Sequence, residues 1–140
     1  MDKDELVKVT AENELMKFLG VKVEVAGPER VVLSMEVTPK VHQYVGIMNG
    51  GVSLYLCETA ASIGVVLGSD LTKVTPVGIE INANHLRAVS KGVVRVEATP
   101  LYPGRTMSVW QIEIRDSREK LICTSRCSIL LRRGGAFPYG

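Results

Sequence analysis

The chain predicts an α+β fold in which one curved antiparallel sheet wraps a single long helix, and two observations carry that prediction. Residues 46–68 form a run whose apolar side chains fall on nearly every helical face, so a helix there needs cover on all sides. After it the pattern changes to alternation through residues 75–88, 92–101 and 106–115, with a last segment at 121–131. A strongly curved sheet of about six strands can enclose such a helix, with a second copy of the chain covering what the sheet leaves open.

Each element has a local justification. Leu6, Val9, Leu15, Met16 and Leu19 recur at helical spacing and stop at Gly20, a C-cap residue, which predicts one N-terminal helix within residues 1–19. Val21-Lys-Val-Glu-Val25 alternates as a half-buried strand does, Ala26-Gly-Pro-Glu-Arg30 turns, and Val31-Val-Leu-Ser-Met-Glu-Val37 returns as a second strand ended by Thr38 and Pro39. Residues 40–49 form an irregular connection into Gly50 and Gly51, where the central helix starts; it runs to Leu67 and closes at Gly68. The loops Ser90-Lys-Gly92 and Tyr102-Pro-Gly-Arg105 are short enough to join antiparallel neighbours, so the later segments read as a four-strand meander. Asp116-Ser-Arg-Glu-Lys120 reads as a turn. The tail 132–140, with three glycines and a proline, reads as mobile, and residues 1–140 together as one domain.

Composition narrows the function classes. Of 140 residues 46% are hydrophobic and 23% charged, as in a globular chain, and the net charge of +2 is too small to argue for nucleic acid. The N-terminus carries no apolar secretory stretch. The central run approaches membrane-span length but holds Glu58, Asn49, Thr59 and two serines, which predicts a core helix and no membrane partner. Cys123 and Cys127 lie four residues apart in a strand, about 13 Å, too far for a disulfide; reduced thiols and a cytoplasmic location follow. The two histidines, His42 and His85, have no cysteine or carboxylate at ligand spacing, so no metal is expected.

Glu58 is the sole formal charge between Lys40 and Asp70. A carboxylate in apolar surroundings is costly, and proteins keep one mostly when it is paired, metal-bound, or used for proton transfer or attack. Gly50 and Gly51 at the helix start present free N–H groups and the positive end of the helix dipole, a ready oxyanion site. Glu58 follows them by about 11–12 Å along the helix axis, so one helix does not easily offer both groups to one carbonyl. Two such helices, antiparallel across a dyad, can. The structural alternative is a buried glutamate satisfied by Ser62, one turn later, or by an arginine.

Gln43 with Gly46-Ile-Met-Asn-Gly-Gly51, then Leu56-Cys-Glu-Thr-Ala-Ala-Ser62, then Val77-Gly-Ile-Glu-Ile-Asn-Ala-Asn-His-Leu-Arg87, resembles the PaaI-type branch of the hotdog-fold acyl-CoA thioesterases. Gly104-Arg-Thr, Val109-Trp-Gln-Ile-Glu-Ile114 and Cys123-Thr-Ser-Arg126 extend the likeness over residues 15–131, most closely to members acting on aromatic acyl-CoAs such as dihydroxynaphthoyl-CoA. The resemblance implies a hotdog fold, hydrolysis of a CoA thioester with an aromatic or medium-size acyl group and no cofactor, and a homodimer with shared sites or a tetramer of dimers. It puts the catalytic carboxylate on Glu58, the thioester-positioning glutamine on Gln43, and a hydroxyl partner on Ser62. Gly50, with Gly51, would polarise the carbonyl. Gly78, His85, Leu86 and Arg87 are then expected along the substrate and CoA path. Tyr102, Gly104, Arg105 and Thr106 form the loop that would meet the nucleotide, with Arg87 and Arg105 as phosphate ligands.

One departure stands out. The family usually carries His-Gly-Gly where this chain has Asn49-Gly50-Gly51, and asparagine keeps a donor and an acceptor but carries no proton at neutral pH. Glu58 then either attacks the thioester, forming a mixed anhydride, or takes a proton from water. Two other readings share the fold: a non-catalytic acyl-CoA binding protein, and a hydratase or dehydratase, against which Asn49 counts.

Overall fold

The computed structural model describes residues 2–134. Helices α1 (Lys3–Glu12) and α2 (Glu14–Leu19) replace the single N-terminal helix expected from apolar spacing. The break is local chemistry: the Asn13 side chain accepts from the Met16 N–H at 3.0 Å and so caps a new helix instead of continuing the old one. Asp2 and Glu5 close a reciprocal capping box at the start of α1. Gly20 ends α2 in the left-handed conformation, at φ 75°.

Strands β1 (Lys22–Ala26), β2 (Val31–Val37), β3 (Val74–His85), β4 (Gly92–Pro103), β5 (Met107–Arg115) and β6 (Leu121–Arg133) form one antiparallel six-stranded sheet in the order β1-β2-β4-β5-β6-β3. β4, β5 and β6 are the meander expected, but β3 is not the neighbour of β4: it pairs with β6 along the far edge. Loop length alone misleads here. The six residues after β3 reach about 20 Å extended, while three strand spacings amount to about 14 Å, so a short loop can cross as well as turn. β3 also stops at His85, three residues before the expected end, and Arg132 and Arg133 extend β6 instead of opening a mobile tail. Residues 135–140 of that tail lie outside the described residues.

Helix α3 (Gly50–Leu67) lies in the concavity of this sheet, the hotdog arrangement. By length and apolarity it would pass for a membrane span, yet Leu56, Cys57, Ala60 and Ala61 are fully enclosed by the sheet. They meet the inward rows Val31, Leu33 and Met35 of β2, Val94, Val96 and Ala98 of β4, and Trp110, Ile112 and Ile114 of β5. Each such large side chain contributes about 1.5–3 kcal/mol on burial, which is ample to hold α3 in place. The helix is not covered on all sides, however. Leu54, Tyr55, Glu58, Thr59, Ser62 and Val66 remain half-buried on the opposite face. Beside this open face runs β3, an edge strand with Ile79 53% exposed and one row of backbone groups unpaired in the sheet.

Candidate active site

The N-terminal end of α3 is built by a pinned loop. Residues 42–48 are tied down by the Met48 N–H donating to the Val89 carbonyl at 2.7 Å, the Asn49 N–H donating to Val41 at 2.8 Å, and the His42 ring Nε2 lying 2.8 Å from the Ser90 carbonyl oxygen. Within the loop the Gln43 carboxamide oxygen accepts from the Val45 N–H, which leaves the Gln43 amide donors unused. Gln43 lines a cavity of about 380 Å³ with Ile47, Met48, Gly50, Ser53, His85, Leu86, Arg87 and Ile122 among its walls.

The first turn of α3 opens onto this cavity. Asn49 is its N-cap and its Oδ1 accepts from the Gly51 N–H at 2.8 Å. The Val52 and Ser53 N–H groups both donate to the Asn49 carbonyl. Of the donors that a helix leaves unpaired at its start, only the Gly50 N–H has no acceptor among the described residues. His85, at the end of β3, packs its ring on Gly50: a Cβ there would stand 2.8 Å from Nε2 and 3.1 Å from Cε1. No side chain fits between them.

Glu58 lies two turns further along α3, on the half-open face, and its carboxylate reaches over Gly78 of β3. A Cβ at Gly78 would come 2.2 Å from Glu58 Oε1, so only glycine admits the carboxylate in this position. Among the described residues Glu58 makes no hydrogen bond and no ion pair, to Ser62, to an arginine or to anything else. Cys127 lies in its field: burial, with the charges of Glu58 and Glu80 adding, pushes that thiol up to about 12. Cys57, next to Glu58 in sequence but on the closed face, is held protonated by its hydrogen bond with Cys123 and by burial.

Leu86 and Arg87 line the cavity at the N-terminal end of α3, with Arg87 3.9 Å from the Asp116 carboxylate. The Lys120 N–H, then the Arg118 N–H and the Arg87 charge, hold that carboxyl below the usual carboxylate range. The β4–β5 loop sits at the other end of α3. Gly104 lines a groove there with Gly64 and Gly68, Tyr102 is 61% exposed, and the Thr106 carbonyl accepts from the Leu131 N–H. Arg105 belongs to this second group, so one chain separates Arg87 and Arg105 by the length of a helix, about 27 Å. Within one chain Gly50 and Glu58 are likewise about 12 Å apart along the axis. The sequence-derived residues thus form three groups: Gln43, Asn49, Gly50, Gly51, His85, Leu86 and Arg87 at one end, Glu58, Ser62 and Gly78 in the middle, and residues 102–106 at the far end.

A family model described as the thioesterase superfamily matches residues 45–123, a span that includes Gly50, Glu58 and His85 and begins two residues after Gln43. The chain belongs to the thioesterase superfamily. A 1,4-dihydroxy-2-naphthoyl-CoA hydrolase of Listeria monocytogenes is 40% identical over 119 residues, 85% of this chain and 96% of the relative. The hydrolase of that name from Escherichia coli is 35% identical over 87% of this chain and 89% of its own. The solved thioesterase of Haemophilus influenzae superposes with a TM-score of 0.85 at 36% identity, covering 95% of this chain and 92% of that one. The protein is a thioester hydrolase of the hotdog fold. Sequence reasoning missed one polar wall residue of this thioesterase's cavity, Ser53, which is 3% exposed. Its spacing of three from Gly50 puts it on the same helix face and was the signal available.

Proposed function

We propose that this thioesterase hydrolyses an aromatic acyl-CoA in a homodimer, with Glu58 of one chain acting on a thioester held at Gly50 of the other. The observation that carries this reading is the Glu58 carboxylate itself, on the half-open face with no hydrogen bond or ion pair among the described residues. A carboxylate placed to stabilise the fold is paired; one left unpaired above a glycine is available for chemistry. It serves as nucleophile or as base toward water, and water is the only co-reactant the reaction asks for. Gly50 polarises the carbonyl and the Gln43 amide holds the acyl end. Ser62 stands one turn from Glu58 to orient it or the water.

The dimer follows from distance. No carbonyl can accept from Gly50 and meet Glu58 of the same chain across about 12 Å. Packing two α3 helices antiparallel across a dyad brings Gly50 of each to Glu58 of the other, covers the half-buried face, and lets the two β3 edges meet. The same operation brings the 102–106 loop of one chain toward Arg87 of the other, which supports a CoA path running between them. Ile47, Met48, Leu86 and Ile122 give the cavity apolar walls suited to an aryl group, in keeping with the naphthoyl-CoA hydrolases among the relatives. Three free buried thiols fit a reducing, cytoplasmic setting.

The test is release of free thiol from a panel of aryl and aliphatic acyl-CoAs, with wild type and Glu58→Ala side by side. Aryl thioesters should turn over fastest and Glu58→Ala should lose nearly all activity. Equal rates for the two proteins would remove Glu58 from the mechanism, and binding without turnover by wild type would favour the binding-protein reading.

A further inference from the structure

We infer that His85 is the second hydrogen-bond donor to the thioester carbonyl, standing in for a backbone donor that Asn49 has taken out of use. The inference rests on the cavity at Gly50 being the thioester site and goes beyond it in assigning the donor pair. An oxyanion site needs two donors converging on one oxygen, and the start of a helix ordinarily supplies them from consecutive N–H groups. Here the helix start leaves one, and on the proposed reading the Gln43 amide on the same cavity is assigned to the acyl end. Gly51 donates to Asn49 Oδ1 at 2.8 Å, Val52 and Ser53 donate to the Asn49 carbonyl at 3.0 and 3.3 Å, and only Gly50 is unclaimed.

The ring of His85 lies directly beside that remaining donor. Its Nε2 is 2.8 Å from the point where a Gly50 Cβ would be, and both residues line the same cavity. The ring makes no hydrogen bond among the described residues, so neither nitrogen is committed to the protein and the Nε2–H tautomer is free to donate into the cavity. The backbone of His85 is fixed, paired with Cys123 in the β3–β6 ladder, while its ring stays at the cavity wall. Gly50 contributes twice: its N–H is the first donor, and its missing side chain is what lets the second approach. A histidine at position 49 would have left the Gly51 N–H without its carboxamide partner; with asparagine there, the task passes to the other side of the cavity.

Steady-state thiol release from benzoyl-CoA by wild type, His85→Gln and His85→Leu tests this. Glutamine keeps an N–H donor at similar reach and leucine fills the space without one. His85→Leu should lower kcat about 100-fold with KM within a few-fold of wild type, and His85→Gln should recover most of that loss. Difference infrared spectra of carbonyl-labelled benzoyl-CoA bound to Glu58→Ala should show a polarised C=O stretch that moves back toward the free ligand in Glu58→Ala/His85→Leu. A rise in KM with kcat intact would make His85 a CoA-holding residue, and glutamine as poor as leucine would rule out donation; either overturns the inference. If wild type hydrolyses while His85→Leu matches it, only the role of His85 falls. If wild type releases no thiol from any acyl-CoA, the reading of the cavity itself falls.

Discussion

The two faces of α3 belong to one helix and end in opposite states. One face, Leu56, Cys57, Ala60 and Ala61, is sealed against the sheet; the other, Tyr55, Glu58, Thr59 and Ser62, is left half-buried by the same chain. The sealed face carries the packing, and the Cys57 thiol on it has its partner in Cys123. The open face carries a carboxylate with no such partner, resting over a strand that has an unpaired edge of its own. On the proposed reading, the contrast separates what the chain finishes alone from what a second copy and a substrate would complete.

Substitutions on the two faces should therefore fail in different ways. Glu58→Ala should lower acyl-CoA hydrolysis by about 10³-fold while the melting temperature stays within a few degrees, because the role proposed for it is chemical and it makes no hydrogen bond or ion pair among the described residues. Leu56→Ala should do the reverse, costing about 2–5 kcal/mol in denaturant melts, with whatever protein stays folded retaining its turnover number. Gly78→Ala sharpens the comparison at the boundary. A Cβ 2.2 Å from Glu58 Oε1 must move the carboxylate, and turnover should fall about 100-fold for a displacement near 1 Å, with stability little changed. If Gly78→Ala unfolds the protein instead, β3 belongs to the sealed side of the account.

The smallest effect is confined to alkaline pH. The Cys127 thiol is raised from 9.0 to about 12 in the folded chain, by burial first and then by the charges of Glu58 and Glu80. A raised folded value means that the stabilisation is fully present below pH 9 and is lost as pH climbs toward 12, because the unfolded chain gives up its proton first. Cys127→Ala should flatten that part of the stability-against-pH curve and leave its slope near neutral pH unchanged, on top of a pH-independent packing loss.

The parts legible in the sequence were those with a period or a chemical oddity. The apolar run gave away α3 and alternation gave away the strands, while an isolated charge singled out Glu58 as the candidate to test. Three features were not legible, each for a physical reason. Asn13 splits the first helix because its side chain out-competes the backbone for one N–H, a choice that apolar spacing does not register. The crossing of β3 to the far edge depends on sheet curvature, which a six-residue loop does not encode. The loss of the Gly51 N–H to Asn49 depends on one side-chain rotamer, and so the pairing of Gly50 with His85 emerged only from the folded chain. Residue spacing did reveal the separation of Gly50 from Glu58, since a helical rise of 1.5 Å per residue is enough to derive it.

The central claim is that each active site is completed by two chains, and mixing inactive variants tests it most directly. Glu58→Ala and Gln43→Ala each spoil every site in their own dimers. In a dimer holding one of each, one site keeps an intact Gln43 from the first chain and an intact Glu58 from the second, while the other site loses both. Equal mixing with subunit exchange makes half of the dimers mixed, so activity should return to roughly a quarter of wild type. A mixture that stays as inactive as its components would show that Gln43, Gly50 and Glu58 act within one chain, and would contradict the account.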